Sequence, residues 1–455
     1  MTALSSAASV GRSTGQLQDI DRAHYIHPLT DHKALHASGT HVIVSGDGCF
    51  LTDSEGNRLL DMMAGLWCVN VGYGRTEIAE AVYEQMKTLS YYCSAFSATT
   101  DTTILLAEKL TGLVPPHLSH VYFSTSGSEG NESAMKLIRF YNKLTDRAGR
   151  TKILTRKHSY HGATLSTSSM SGIPAILEPF DLPLDGFIHC PAPHYYLADT
   201  HMSHEEYGRW CVEETARIIE RENPETISAM FVEPVQGAGG VIIPPPGYLK
   251  DLRELCRSHS ILFVADEVIT GYGRLGKWFG SQLWDLGPDL MSTAKALTSA
   301  YQPMSALFVR DEIAEVVIEG GFFSHINTYA GHPAAAAAAL ANLSIIESEN
   351  LVPRTRDSIG PYLQRRLREF VDHPLVGEVR GLGLIAAMEL EPSQDQQSRG
   401  VALGPLAFKM FREEGVIIRA MGNSLAYCPP LIIKESEVDF LIEATHKVFA
   451  RLAAA

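Results

Sequence analysis

Asp266 and Glu267 close a short apolar run over residues 261–265, and Lys295 follows twenty-nine positions after Asp266 among Ala294, Ala296 and Leu297. The run is brief and bounded by turn residues, which suits a buried strand better than a helix. Ligands of open α/β sheets gather at the carboxyl ends of strands, so a carboxylate there is placed to meet one. Lysine, for its part, is rarely buried without a chemical reason. Singly, Asp266 reads as a cap or turn former and Lys295 as a surface amine with its stem on apolar neighbours. As a pair they describe one chemistry: a lysine forming a Schiff base with an aldehyde cofactor, and an aspartate keeping that cofactor's pyridine nitrogen protonated. The protonated ring withdraws electrons from the carbon bonded to the substrate nitrogen and stabilises the carbanion on which reaction depends.

Such groups need a sheet to carry them. Short apolar runs at 121–123, 152–155, 187–190, 227–235, 261–268 and 304–309 read as strands, and helical spacing appears over 78–89 and 103–113. Strands alternating with helices predict an α/β fold with a mainly parallel sheet covered on both faces. Four strand ends then bring polar groups to one crevice. After the first, Ser126 and Glu129 have capping-box spacing, so a helix starts directly behind Ser126-Gly127-Ser128. Its free N–H groups, positive dipole end and serine hydroxyls form a phosphate cup, and Gly127 lets a ligand approach the backbone. The stretch is neither a Walker loop nor a G-x-G-x-x-G fingerprint. Tyr160, His161 and Gly162 follow the next strand, with a ring able to stack on a planar cofactor, and Glu233 and Gln236 follow another. Beyond these, Trp67 reads equally as core and as pocket wall, and Arg419 equally as an edge charge and as a carboxylate binder.

The chain has 455 residues, 45% hydrophobic and 20% charged, enough for two packed domains. A net charge of -14 argues against nucleic acid or an anionic membrane as partner. Seven scattered cysteines without a C-x-x-C read as reduced thiols of a cytoplasmic protein, and neither a secretory signal nor a long apolar span is evident. The pairs His32/His36 and His201/His204 lack a third ligand, so no metal is expected. Residues 1–20, rich in Ser, Gly and Ala, read as a mobile arm. Residues 39–61 read as an antiparallel meander, and residues from about 342 onward as a smaller α+β region. The expected organisation is an arm (1–20), a segment contributing to the small domain (21–74), a large cofactor domain (75–333) and a C-terminal small domain (334–455).

GLWCVNVGYG, SGSEGNE, YHG, EPVQGAGG, ADEVITGYGRLG, PDLMSTAKALTSAYQP, TYAGHP and RAMGNSLAYCPPL, in this order, resemble the class III (omega) aminotransferases, pyridoxal-phosphate enzymes of fold type I. Within that family the likeness is to amine:pyruvate and omega-amino acid:pyruvate transaminases. The resemblance implies that Lys295 is the Schiff-base lysine and Asp266 the pyridinium partner. It further implies Val268 and Tyr160 on the two ring faces, and Ser126, Gly127 and Ser128 around the phosphate. His161, Gly162, Glu233 and Gln236 would lie near the cofactor, and Thr328 would reach it from a neighbouring subunit. A homodimer or tetramer with shared sites follows. Trp67, Tyr160, Leu29 and Tyr92 would line the substrate pocket, with Arg419 as a mobile carboxylate binder. The implied reaction is transfer of an amino group from a primary amine or omega-amino acid to pyruvate through a ping-pong cycle. The segments 91–96 and 325–327, resembling pocket walls, depart from the family's usual residues. An aminomutase, a decarboxylating transaminase, a PLP-binding regulator and a nucleotide-binding protein are the competing readings. The regulator lacks a DNA-binding module and the nucleotide binder lacks either glycine fingerprint.

Overall fold

The computed structural model describes residues 11–198 and 200–454. Its centre is a seven-stranded sheet in the order His120–Ser124, Ser305–Val309, Leu290–Thr293, Leu262–Asp266, Ile227–Val232, Lys152–Arg156, Phe187–Cys190. Only Ser305–Val309 runs against its neighbours. Alternate residues enter two different cores. Ile153, Ala229, Phe231 and Val264 pack with Ala134, Leu137 and Ile138 of the helix Gly127–Leu144. Leu154, Met230, Val232 and Phe263 pack instead with Cys211, Tyr248 and Leu252 of the helices His204–Glu222 and Tyr248–Ser258. Both faces of the sheet are therefore dry, which explains why its strands read as continuous apolar runs.

One strand escapes the sequence pattern. Leu290–Thr293 is only four residues long and ends in Ser-Thr, yet it is buried throughout and pairs on both sides. It ends two residues before Lys295. The antiparallel meander appears as Ile43–Asp47, Phe50–Asp53 and Arg58–Asp61. Its last strand also pairs in parallel with Val416–Ile417, a link between distant parts of the chain that local pattern does not show. A third sheet, of Val376–Leu382, Ile385–Leu390, Ser424–Tyr427 and Arg419–Met421, is antiparallel. Within the arm expected to be mobile, Thr14–His24 is a helix capped by Ser13 and Gln16, and Gln18 donates to the Thr40 carbonyl at 3.0 Å. Residues 1–10 of that arm lie outside the described residues.

Arg380 joins the third sheet to the loop that follows Gln236. Its guanidinium donates to the Gly240 carbonyl, to the Val241 carbonyl at 3.1 Å, and to Glu378 and Glu389, each at 2.6 Å. Because the cluster is almost fully buried, removing the cation strands Glu389 and two carbonyls. Arg380→Met is expected to lower the unfolding free energy by about 3 kcal/mol, read by urea denaturation.

Candidate active site

The carboxyl ends of five strands converge as the sequence suggests for four of them. Asp266, the last residue of Leu262–Asp266, is buried, and both of its oxygens are used. Oδ2 accepts from Asn131 Nδ2 at 2.9 Å and from His161 Nδ1 at 2.7 Å, while Oδ1 accepts from the Val268 N–H at 3.1 Å. Asn131 donates as well to the His161 carbonyl at 2.8 Å. The carboxylate is thus held by the helix Gly127–Leu144, by the loop after Lys152–Arg156 and by its own turn. His161 Nδ1 carries the proton in this arrangement, which leaves Nε2 as a buried lone pair without a partner. Asn131 Oδ1 is likewise buried and unpaired.

Ser126 caps the helix, its Oγ accepting from the Glu129 N–H at 3.2 Å. The reciprocal half of the expected capping box is displaced by one residue, since Glu129 accepts from the N–H of Thr125 at 2.8 Å. Side chains of Val268 and Ala294 close over Gly127, where an added Cβ would stand 3.1 Å from Val268 Cγ2. A side chain at this position would need Val268 to shift by a few tenths of an ångström. Ser128 Oγ accepts from the Ala163 N–H at 3.0 Å, tying the helix start to the loop just beyond Gly162. At Gly162, φ +147°, a Cβ would meet Thr167 Oγ1 and Ser128 Oγ.

Glu233 and Gln236 do structural work in the crevice wall. Glu233 accepts from the Tyr160 N–H and from the Gly237 N–H, each at 3.0 Å. Burial, the largest influence, holds its carboxyl above the usual glutamate range. Gln236 Nε2 donates to the Lys157 carbonyl at 2.9 Å, and its Oε1 is buried without a partner.

Lys295 has φ 45°, in the left-handed region, and starts a short turn that Asn342 holds by donating to the carbonyls of Ala296 and Leu297 at 2.8 and 3.0 Å. Strain of this kind persists where surroundings over-determine it, and gathers at functional sites. The side chain keeps a window on the crevice and makes no hydrogen bond or ion pair among the described residues. Burial depresses its pKa, with Cys68, Asp266 and Cys428 acting in the opposite sense and Arg419 reinforcing it. A lysine so placed is nearer to the neutral amine that can attack a carbonyl or accept a proton.

Trp67 is both core and wall. Its ring is buried in a cluster with Val235, Val241 and Ile269, and the Arg419 guanidinium lies 5.0 Å from the ring centroid. Burial lowers the pKa of Arg419, partly offset by Tyr160 and Cys428, and no acidic residue pairs with it among the described residues. Thr328 lies exposed on a turn where its carbonyl accepts from the Tyr91 hydroxyl. Leu29 and Tyr92, 88% and 52% exposed, are not enclosed by the single chain. Sequence reasoning missed Asn131 and Asn342. The first stands inside the SGSEGNE motif, and the second is the lone amide in an otherwise apolar helix, Pro333–Ser348, which was a visible signal.

A half-buried lysine without an ion partner among the described residues, a braced aspartate and a serine- and glycine-bearing helix start, gathered at the ends of parallel strands, describe the class of enzymes that hold an aldehyde cofactor by ring nitrogen and phosphate. The Aminotransferase class-III family matches residues 34–449, and the chain belongs to it. These are pyridoxal 5′-phosphate enzymes, and the unpaired polar atoms and glycine cradle fit that group. The chain is 41% identical over 444 residues to the putrescine–pyruvate aminotransferase of Pseudomonas aeruginosa, covering 97% of each chain. It superposes with a TM-score of 0.93 on an (S)-enantioselective omega-transaminase from Thermomicrobium roseum, at 40% identity and covering 97% and 99% of the two chains. The omega-transaminase of Pseudomonas jessenii in complex with PMP gives the same TM-score at 37% identity, with 96% and 98% covered. No helix of the described residues is long and apolar enough to cross a membrane.

Lys295 also bears on the stability of the cofactor-free protein. A lysine whose folded pKa is depressed destabilises the fold fully below that pKa, where both states are charged, and ceases to do so as pH rises past the unfolded value of about 10.4. Lys295→Met is therefore expected to stabilise the apoprotein at pH 7 and to lose that gain towards pH 10.5, read by urea unfolding at the two pH values.

Proposed function

We propose that this aminotransferase moves an amino group from a primary amine or omega-amino acid to pyruvate, giving alanine in a ping-pong cycle. The observation that carries this reading is Arg419, a half-buried guanidinium resting on Trp67 with no acid of its own. In one site that must take a donor without a nearby carboxylate and then an acceptor with one, a fixed ion pair would be broken at each exchange. An arginine parked on an aromatic face accepts the carboxylate when it arrives and tolerates its absence.

Bound pyridoxal phosphate supplies the electron-withdrawing ring. Lys295 Nζ takes the proton from the amine-bearing carbon of the donor and returns one in the opposite half of the cycle. Asp266, oriented by Asn131 and His161, holds the proton on the ring nitrogen. Ser126, Gly127 and Ser128 receive the phosphate at the helix start, with Thr328 of a second copy completing the shell. Tyr160 and Val268 would pack on the cofactor ring, with Gly162, Glu233 and Gln236 shaping the crevice around it. Trp67, Tyr160, Leu29 and Tyr92 line the substrate space.

The assembly in this reading is a cytoplasmic homodimer with shared sites. Exposed Phe322, Ile326 and Tyr329 beside Thr328, with Tyr92 and Phe96, offer apolar surface for a second copy to cover. Seven free thiols favour the cytoplasm. Residues 75–333 form the large domain in this reading. Residues 21–74 join 334–455 in the small one, supported by the pairing of Leu60 and Asp61 with Val416 and Ile417.

The test is a donor panel on cofactor-loaded protein, pairing pyruvate with a diamine, β-alanine, taurine, an arylalkylamine and α-amino acids while alanine is measured. Turnover with amines is expected, falling about 1,000-fold or more in Lys295→Ala. Interconversion of an amino compound without any keto-acid acceptor would instead make the reaction an isomerisation.

A further inference from the structure

Asp61 closes the strand Arg58–Asp61 and is buried, with no ion pair among the described residues. Its carboxylate has three donors. Oδ1 accepts from the Met63 N–H at 2.8 Å, and Oδ2 accepts from the Gly65 N–H at 2.7 Å and from the Tyr73 hydroxyl at 2.6 Å. The turn so held is strained. Ala64, Gly65 and Trp67 all have positive φ, at 45°, 69° and 60°. Left-handed backbone at a tryptophan is costly, and it survives only where its surroundings dictate it. The ring is then fixed against Gly237, where an added Cβ would come within 2.7 Å of Trp67 Cζ3.

The backbone of the same residue reaches the other half of the pair. Asp61 is the partner of Ile417 in the parallel ladder, and the Met62 N–H donates to the Ile417 carbonyl at 2.9 Å. Ile417 precedes Arg419 by two residues. Thus the side chain of Asp61 sets the turn that carries Trp67, while the Leu60–Asp61 main chain pairs with Val416–Ile417, the short strand that precedes Arg419–Met421.

We infer that Asp61 is a positioning residue for carboxylate recognition: it places the Trp67 face beneath the Arg419 guanidinium, and so sets where a substrate carboxylate is met. The inference rests on the carboxylate-binding reading of Arg419. Asp61 itself touches neither substrate nor reacting atoms. Asp61→Asn keeps the shape but turns one acceptor into an N–H₂ group that faces a backbone donor, which frees the turn and lets the ring leave its place. The loss falls on ligands that carry a carboxylate, while the reaction of a carboxylate-free amine at Lys295 is spared.

The experiment titrates the holoenzyme with acetate, a carboxylate that cannot react, and reads its dissociation constant from the change in cofactor absorbance. Asp61→Asn and Arg419→Ala are each expected to weaken acetate about 10-fold, and the double variant no more than about 2-fold beyond Arg419→Ala alone, because the two act through one interaction. Tyr73→Phe, which removes one of the three bonds and leaves the backbone turn intact, is expected to weaken it about 3-fold and keeps the question open to test if Asp61→Asn does not fold. In Asp61→Asn, acetate affinity is expected to fall at least about 5-fold further than the single-turnover rate constant with a small alkylamine that carries no ring, the split between ligand types that general unfolding does not produce. Acetate bound normally by Asp61→Asn and Tyr73→Phe, while Arg419→Ala weakens it, overturns this inference and leaves the proposed function standing. Full additivity in the double variant also overturns it. Normal binding by Arg419→Ala removes the carboxylate reading of that residue, and the role of Asp61 with it.

Discussion

The bracing of the Asp266 carboxylate is the interaction from which the rest of this active site takes its shape. Asn131, His161 and the Val268 N–H come from three separate segments, and each is brought to the same two oxygens. A buried carboxylate left without these donors would bear the full cost of desolvation. Satisfying it therefore locks together the helix that starts at the phosphate cup, the loop that carries Tyr160, and the strand end itself. The cofactor ring would meet a group already oriented, at no cost of rearrangement during the reaction.

Lys295 and Arg419 are two cations kept in a small space without a salt bridge to either, and each loses basicity to burial first. Their situations differ in the remaining influences. Asp266 pulls Lys295 back towards its charged form, against the larger effect of burial. Cys428, whose thiol burial pushes up to about 11, stays neutral beside it. Arg419 has instead the π face of Trp67, 5.0 Å from its guanidinium. A third buried cation, Arg274, bonds to Asn70 Oδ1 and to the carbonyls of Leu384 and Pro429, and bolts the loop after Asp266 to the third sheet. Arginine serves that bolt because its fork can satisfy several carbonyls at once.

Alternating strands and helices, the capped helix at Ser126, and the delivery of Tyr160, Glu233 and Asp266 to strand ends were all determined by sequence alone, because each depends on local spacing. Side-chain period, cap chemistry and glycine placement are properties of a few neighbouring residues. The motif order also identified the family. What escaped was whatever depends on a partner distant in the chain. Leu290–Thr293 is a strand because two neighbours pair with it, not because of its own Ser-Thr ending. Glu233 and Gln236 could be assigned to the crevice, yet their backbone partners at Tyr160, Gly237 and Lys157 belong to the way two loops pack. Only the tertiary structure decided that Trp67 is core and wall together, that Asn131 and His161 share Asp266, and that Leu60 and Asp61 lie beside Val416 and Ile417. The physical reason is common to all three: a hydrogen bond or a ring contact is specified by position in space, and residues hundreds of places apart leave no local periodicity to announce that they will meet.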